Sequence, residues 1–191
     1  HAMKPVIDFG DEAQKQRILP NIAQGALASL CITEPDAGSD ATAMRTRFTP
    51  DGDSIVVEGG KLFISNGGAS DFYLVFGKWS EIDDARAAMS AVLIEKDTPG
   101  FSAGAKEDKM GARGIPSCAL FFDDVFVPEE NRLGPEGEGF KIVMEALNLS
   151  RPIIGARGVG LAQGAMDHAT NFVKNRQAFG QTAIVLQDVR W

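Results

Sequence analysis

Hydrophobic and polar positions follow three different rhythms along the chain. Over residues 10–26, Ala13, Ile18, Leu19, Ile22 and Ala23 fall at helical spacing. This predicts short helical pieces interrupted at Pro20, because an interior proline removes a helix hydrogen bond. From residue 27 to about 134 the pattern changes to short runs, mostly rich in Val, Ile, Leu and Phe. They lie at 27–33, 54–58, 63–65, 72–76, 91–95 and 119–127. The clusters Thr49-Pro50-Asp51-Gly52, Asn66-Gly67-Gly68 and Thr98-Pro99-Gly100 are turn signals between several of them. So many short strands predict a closed or sandwiched antiparallel sheet rather than βαβ units. No GxGxxG follows a strand and opens a helix, so a Rossmann fold has little support.

From residue 139 the rhythm becomes helical again. Phe140, Val143, Met144 and Leu147 recur at three- and four-residue spacing, as do Leu161, Ala165, His168 and Phe172. Pro152 is expected to bend or restart this helix. The apolar pattern is still running at Trp191, without a C-cap glycine or a polar tail, which predicts a chain cut from a longer one. The start, His1-Ala2-Met3, reads as a cloning remnant or as the cut end of a longer natural chain.

Composition narrows the function more than the fold. A net charge of −7 argues against a general nucleic-acid surface, which needs clustered Lys and Arg. No run approaches the roughly 18 apolar residues of a membrane span. Cys31 and Cys118 stand far apart, in neither a disulfide framework nor a metal-ligand spacing, which points to a reducing compartment. His1 and His168 are the two histidines, too few for a zinc site or a histidine-based triad. His168 sits in a helical pattern and reads as a capped or solvent-facing imidazole.

Three segments carry candidate chemistry. In Thr33-Glu34-Pro35-Asp36-Ala37-Gly38-Ser39-Asp40, Pro35 suits the second position of a tight turn and Gly38 frees the backbone after it. Such a turn can offer N–H groups and hydroxyls to a flat heteroaromatic edge or a phosphate. By itself the plainer reading is a surface turn in which Asp36 and Ser39 cap. In Lys61-Leu62-Phe63-Ile64-Ser65-Asn66-Gly67-Gly68, strand alternation puts Phe63 and Ser65 on one face. An aromatic two residues from a hydroxyl can stack on a ring and bond its edge; the plainer reading is a strand ending in an Asn-Gly turn. In Arg176-Gln177-Ala178-Phe179-Gly180-Gln181, the plainer reading is a helix end, with Arg176 matched to the dipole and Gly180 as C-cap. The sharper one is an arginine aimed at a pyrophosphate.

Taken together the segments resemble the acyl-CoA dehydrogenase family. The likeness runs from Asp11-Glu12-Ala13-Gln14-Lys15 to the region of Gln187. It takes in Lys109-Met110-Gly111-Ala112-Arg113-Gly114, Phe121-Phe122-Asp123-Asp124-Val125-Phe126-Val127-Pro128, and Gly137-Glu138-Gly139-Phe140 leading into Leu147-Asn148-Leu149-Ser150-Arg151. The resemblance implies an α+β multidomain fold: an antiparallel β-barrel domain flanked by the ends of two helical domains. Residues 1–26 would be the tail of the first helical domain, 27–134 the barrel, and 135–191 the start of a C-terminal bundle. It implies FAD as cofactor, lined by Leu30, Ile32, Thr33, Gly38 and Ser39, with Phe63 and Ser65 on its other edge. Arg176 and Gln187 would reach the FAD of a neighbouring subunit in a dimer of dimers. Ser39, Asn148 and Arg151 would touch the acyl-CoA.

The implied reaction is oxidation of an acyl-CoA to the trans-2-enoyl-CoA, with electron transfer flavoprotein as reoxidant. A glutamate takes the α-proton while flavin accepts a hydride from the β-carbon. An acyl-CoA oxidase, a flavin monooxygenase relative and a catalytically silent acyl-CoA- or partner-binding module are the alternative expectations. Phe63 stands where the family often has tryptophan, Ser65 where threonine is frequent, and Asp36 where many members have glycine. In part of the family the glutamate immediately precedes the arginine equivalent to Arg151. Here that position is Ser150, so the base is expected beyond Trp191.

Overall fold

Asp11 fixes the start of the first long helix. A short helix α1, Lys4–Phe9, precedes it, and α2 runs over Glu12–Ala23. The Asp11 carboxylate accepts the Gln14 N–H at 2.7 Å, and Gln14 Oε1 accepts the Asp11 N–H at 3.2 Å. This reciprocal box satisfies two otherwise orphaned donors. The same Gln14 side chain donates through Nε2 to the carbonyls of Glu130 and Arg132, each at 2.8 Å, and so pins α2 to the loop after the last long strand. Asp11→Ala is expected to lower stability by about 1 kcal/mol, read as a shift in the urea midpoint at unchanged slope.

The expected interruption at Pro20 is a correction: α2 passes through it and ends at Ala23. Pro20 lies in the last turn, so one hydrogen bond to the Gln16 carbonyl is lost. Both residues are exposed, and water can take the place of the missing donor.

The computed structural model describes residues 2–190, which fall into two units, His1–Leu147 and Asn148–Trp191. In the first, seven strands form one sheet: β1 Ala28–Cys31, β2 Arg47–Asp51, β3 Ser54–Ser65, β4 Phe72–Trp79, β5 Met89–Glu95, β6 Phe101–Lys106 and β7 Ser117–Pro128. Their order is β1-β4-β2-β3-β7-β6, with β5 on β4. The sheet is mixed, which corrects the antiparallel barrel. β1 pairs parallel with β4 from Ala28↔Phe72 to Cys31↔Val75, and β2 meets β4 in parallel at Arg47 and Phe48. A parallel pair needs a long crossover, and the β2–β3 hairpin supplies the one between β1 and β4. The overall class, a sheet accompanied by helices, stands as expected.

Burial explains the apolar runs. On β4, Phe72, Leu74 and Phe76 join the cluster that packs on α1 and α2, while Tyr73, Val75 and Trp79 face a second cluster with Phe48, Ile55, Leu120 and Val125. β5 divides the same way, Met89, Ala91 and Leu93 against Val92 and Ile94. Strands buried on both faces read as continuous rather than alternating. β3 joins two of the predicted runs through Gly59, whose φ is +130°. A Cβ there would stand 2.9 Å from Thr46 Cα, so the approach of Thr46 requires glycine.

Helix α3, Gly139–Asn175, spans the sequence boundary between the units, and it does not restart at Pro152. Within the first unit, Ile142, Val143 and Ala146 are buried, with Ile142 and Val143 in the cluster facing the helices. The second unit continues with β8 Gln177–Ala178, β9 Gln181–Thr182 and α4 Gln187–Arg190. Among the described residues no helix is long and apolar enough to cross a membrane.

Candidate functional site

The turn after β1 closes as its proline dictates. Glu34 and Ala37 exchange backbone hydrogen bonds of 3.0 and 3.1 Å, leaving Pro35 and Asp36 at the tip. Asp36 pairs with Arg45 at 3.4 Å. Gly38 keeps out of the left-handed region, so the turn does not use its conformational freedom. What its lack of a side chain provides is an uncovered backbone, since a Cβ there would meet nothing within 4 Å. Capping falls to neither Asp36 nor Ser39. Asp40 accepts from the Thr42 N–H at 3.0 Å and the Thr42 hydroxyl at 2.5 Å, and these bonds hold its carboxyl below the usual range. Ser39 is left exposed.

Behind the turn lies a feature that sequence reasoning missed. Glu34 is buried, and its carboxylate accepts from Lys61 Nζ at 2.6 Å, the Thr46 hydroxyl at 2.7 Å, and the N–H groups of Arg45 and Thr46 at 2.6 and 3.1 Å. Lys61 is fully buried and also donates to the Ile32 carbonyl at 3.2 Å. Burial pushes the Glu34 carboxyl up, but the Lys61 charge and these hydrogen bonds outweigh it and hold it low. Burial lowers the Lys61 ammonium against the opposing pull of Glu34. No local signal marked the pair: Lys61 follows Gly59 and Gly60 and stands outside the apolar run at 63–65.

The turn and the end of β3 are tied together. Leu62 N–H donates to the Thr33 carbonyl at 2.8 Å, Lys61 reaches Ile32, and the Ser29 hydroxyl donates to the Ser65 carbonyl at 2.8 Å. The ladder between β3 and β7 slips between Lys61 and Ile64, a bulge that contains Phe63. Phe63 has φ +57°, and its side chain is 59% exposed. A phenylalanine held in the left-handed region costs about 1–3 kcal/mol, a strain that concentrates at ligand clamps. Ile64 points inward while Phe63 and Ser65 are exposed, as alternation predicts for these three positions. Thr33 is half-buried beside them, and Leu30 and Ile32 are half-buried against the cluster on the helical side. A free aromatic face, three hydroxyl side chains and the bare backbone at Gly38 fit a flat ring with a polar edge.

The remaining candidates lie in the second unit. The Arg151 guanidinium donates to Asn148 Oδ1 one turn earlier on α3, and both residues are exposed. Arg176 directly follows α3; its N–H donates to the Phe172 carbonyl at 3.0 Å, and its carbonyl accepts from Ala183 at 2.7 Å. Gly180 is not a helix C-cap, which corrects that reading. Phe179 and Gly180, with φ +53° and +77°, form the two-residue turn between β8 and β9. Both central residues of this turn take positive φ, which suits the twist of a hairpin. Gln187 opens α4 and is exposed, as is His168 on α3.

Neither cysteine has the surroundings of a nucleophile. Cys31 and Cys118 are free and buried, and burial pushes both thiols up. Among the described residues no group of three or more His, Cys, Asp and Glu side chains could hold a metal ion.

Known proteins resemble this chain in sequence and in fold. The family model described as "Acyl-CoA dehydrogenase, middle domain" matches residues 29–125, and "Acyl-CoA dehydrogenase, C-terminal domain" matches 137–191. The chain belongs to the acyl-CoA dehydrogenase family. It is 41% identical over 186 residues to an acyl-CoA dehydrogenase of Bacillus subtilis (strain 168), covering 97% of this chain and 49% of the relative. The butyryl-CoA dehydrogenase structure from Megasphaera elsdenii superposes with a TM-score of 0.93 at 39% identity, over 97% of this chain and 49% of that one. A glutaryl-CoA dehydrogenase from Mycobacterium smegmatis, solved in complex with FADH2, gives 0.91 at 29% identity, over 98% and 47%. The chain spans about half the length of the relatives it matches.

Proposed function

We propose that this chain carries much of the cofactor site of an enzyme that oxidises an acyl-CoA thioester to the trans-2-enoyl-CoA. The observation that carries the reading is the exposed, strained Phe63, tied beside the 33–39 turn in a chain of this family. Leu30, Ile32, Thr33, Gly38 and Ser39 would line one side of FAD, and Phe63 and Ser65 the other. When bound, FAD supplies the acceptor for the hydride leaving the β-carbon. The chain's own part is to stack on the ring, bond its polar edge and keep water from it.

Residues 1–26 would end a helical domain, 27–134 form the sheet domain and 135–191 open a bundle. Arg176 and Gln187 would reach the FAD of a neighbouring subunit in a homotetramer, a dimer of dimers. Ser39, Asn148 and Arg151 would meet the acyl-CoA, with Arg151 held ready by Asn148. Electron transfer flavoprotein is the proposed electron acceptor. The compartment would be the cytoplasm in a bacterium and the mitochondrial matrix in a eukaryote.

The test compares Arg176→Ala with Arg151→Ala in a full-length protein. Removing a charge-assisted contact costs about 1.5–3 kcal/mol, a shift of roughly ten- to a hundredfold. Arg176→Ala should weaken FAD binding by that factor, and Arg151→Ala should instead raise the apparent KM for acyl-CoA. Exchange of the two phenotypes overturns the assignment.

A further inference from the structure

The buried ion pair sits where the two faces of the candidate flavin site meet. Lys61 precedes Phe63 by two residues, at the start of the bulge that contains it, and Glu34 follows Thr33 directly. β1 and β3 are not partners in the sheet, since β1 pairs with β4. No strand ladder therefore fixes the 32–33 backbone against 62–65. The fixing is done by the Thr33–Leu62 and Ser29–Ser65 bonds and by one ammonium that holds both the Ile32 carbonyl and the Glu34 carboxylate. Thr46, beneath Gly59, binds the same carboxylate oxygen as Lys61 with its N–H and hydroxyl, and the Arg45 N–H holds the other oxygen. A buried pair is weak evidence for stability, because apolar residues of similar volume often serve as well. It gains a reason where two segments must be held in one register.

We propose that Lys61 and Glu34 are a positioning pair for the flavin. They fix Ile32 and Thr33 against Phe63 and Ser65, and so set how tightly the ring is held and the surroundings it meets. The proposal rests on the flavin reading above. It adds two residues that touch no cofactor and act through the backbone of those that do.

Three measurements on the full-length protein test it: the FAD dissociation constant of the apoprotein, the visible spectrum of the bound flavin, and thermal unfolding without FAD. Lys61→Met keeps the length of the side chain and removes the charge. It should weaken FAD by about tenfold or more and alter the flavin's resolved visible bands, at a temperature where the apoprotein is fully folded. Thr46→Val keeps both charges and the backbone donor while removing one bond to Glu34. It should act in the same direction by about threefold, and it decides the matter if Lys61→Met does not fold. A lowered melting temperature with unchanged affinity and spectrum would make the pair part of the core alone and overturn the proposal. Wild-type protein that binds no FAD would instead overturn the flavin reading, and the proposal with it.

Discussion

A full-length version of this protein, mixed anaerobically with FAD and a saturated acyl-CoA, should lose its flavin absorbance. The 191-residue chain treated in the same way should keep it. The difference follows from which groups could accept an α-proton. Ser150 occupies the position before Arg151, and a hydroxyl cannot take that proton near neutral pH without a base of its own. His168 is exposed and lies about 27 Å further along α3, at 1.5 Å per residue.

Of the acids in the turn motif, Asp36 pairs with Arg45, Asp40 is held by Thr42, and the Glu34 carboxylate is already engaged by Lys61, Thr46 and Arg45. These partners hold it low and buried, the opposite of a base poised near neutrality. Removal of a catalytic acid or base costs about a hundredfold or more, which separates the two chains within one stopped-flow trace. FAD is supplied in excess, because Arg176 and Gln187 would serve a neighbour's cofactor. Rapid loss of absorbance in the 191-residue chain would place the base within it, and Glu34→Gln would then be the first variant to make.

The sequence announced the strands that carry apolar runs and hid the two that do not, β2 and β6. Phe72 to Phe76 and Ala91 to Glu95 read as strands because β4 and β5 are buried on both faces. β2 carries Pro50 within a turn-like cluster, and it tolerates the proline because its pairing with β4 covers only Arg47 and Phe48. β6, Phe101–Lys106, is small-residue-rich and largely exposed, so it offered no apolar run. The parallel pairing of β1 with β4 is a non-local choice that no window of residues contains. At the site, Pro35 and the outward pair Phe63 and Ser65 were legible from turn chemistry and alternation. The Lys61–Glu34 pair was not, because it depends on a bulge that turns Lys61 and Ile64, three apart, both inward.

Lys61 and Glu34 should also dominate the pH dependence of the first unit's stability. Glu34→Leu leaves a buried ammonium without its partner and the donors of Thr46 and Arg45 without an acceptor. Breaking such a pair from one side costs about 3–5 kcal/mol, a large part of a domain's stability. Glu34→Gln with Lys61→Met keeps one acceptor, enough for Thr46 on Oε1 and not also for the Arg45 N–H on Oε2, and it buries no charge, so it should cost less than Glu34→Leu alone. The sign with pH follows from the lowered Glu34 carboxyl. Its contribution is fully present above the unfolded carboxyl value of about 4.3 and is lost as pH falls through the lower folded value. Urea unfolding of wild type and Glu34→Leu should therefore show a wide gap at neutral pH that narrows in acid below that value. A gap that stays constant down to the acid unfolding of the wild type would mean that Glu34 acts through its shape and not its charge.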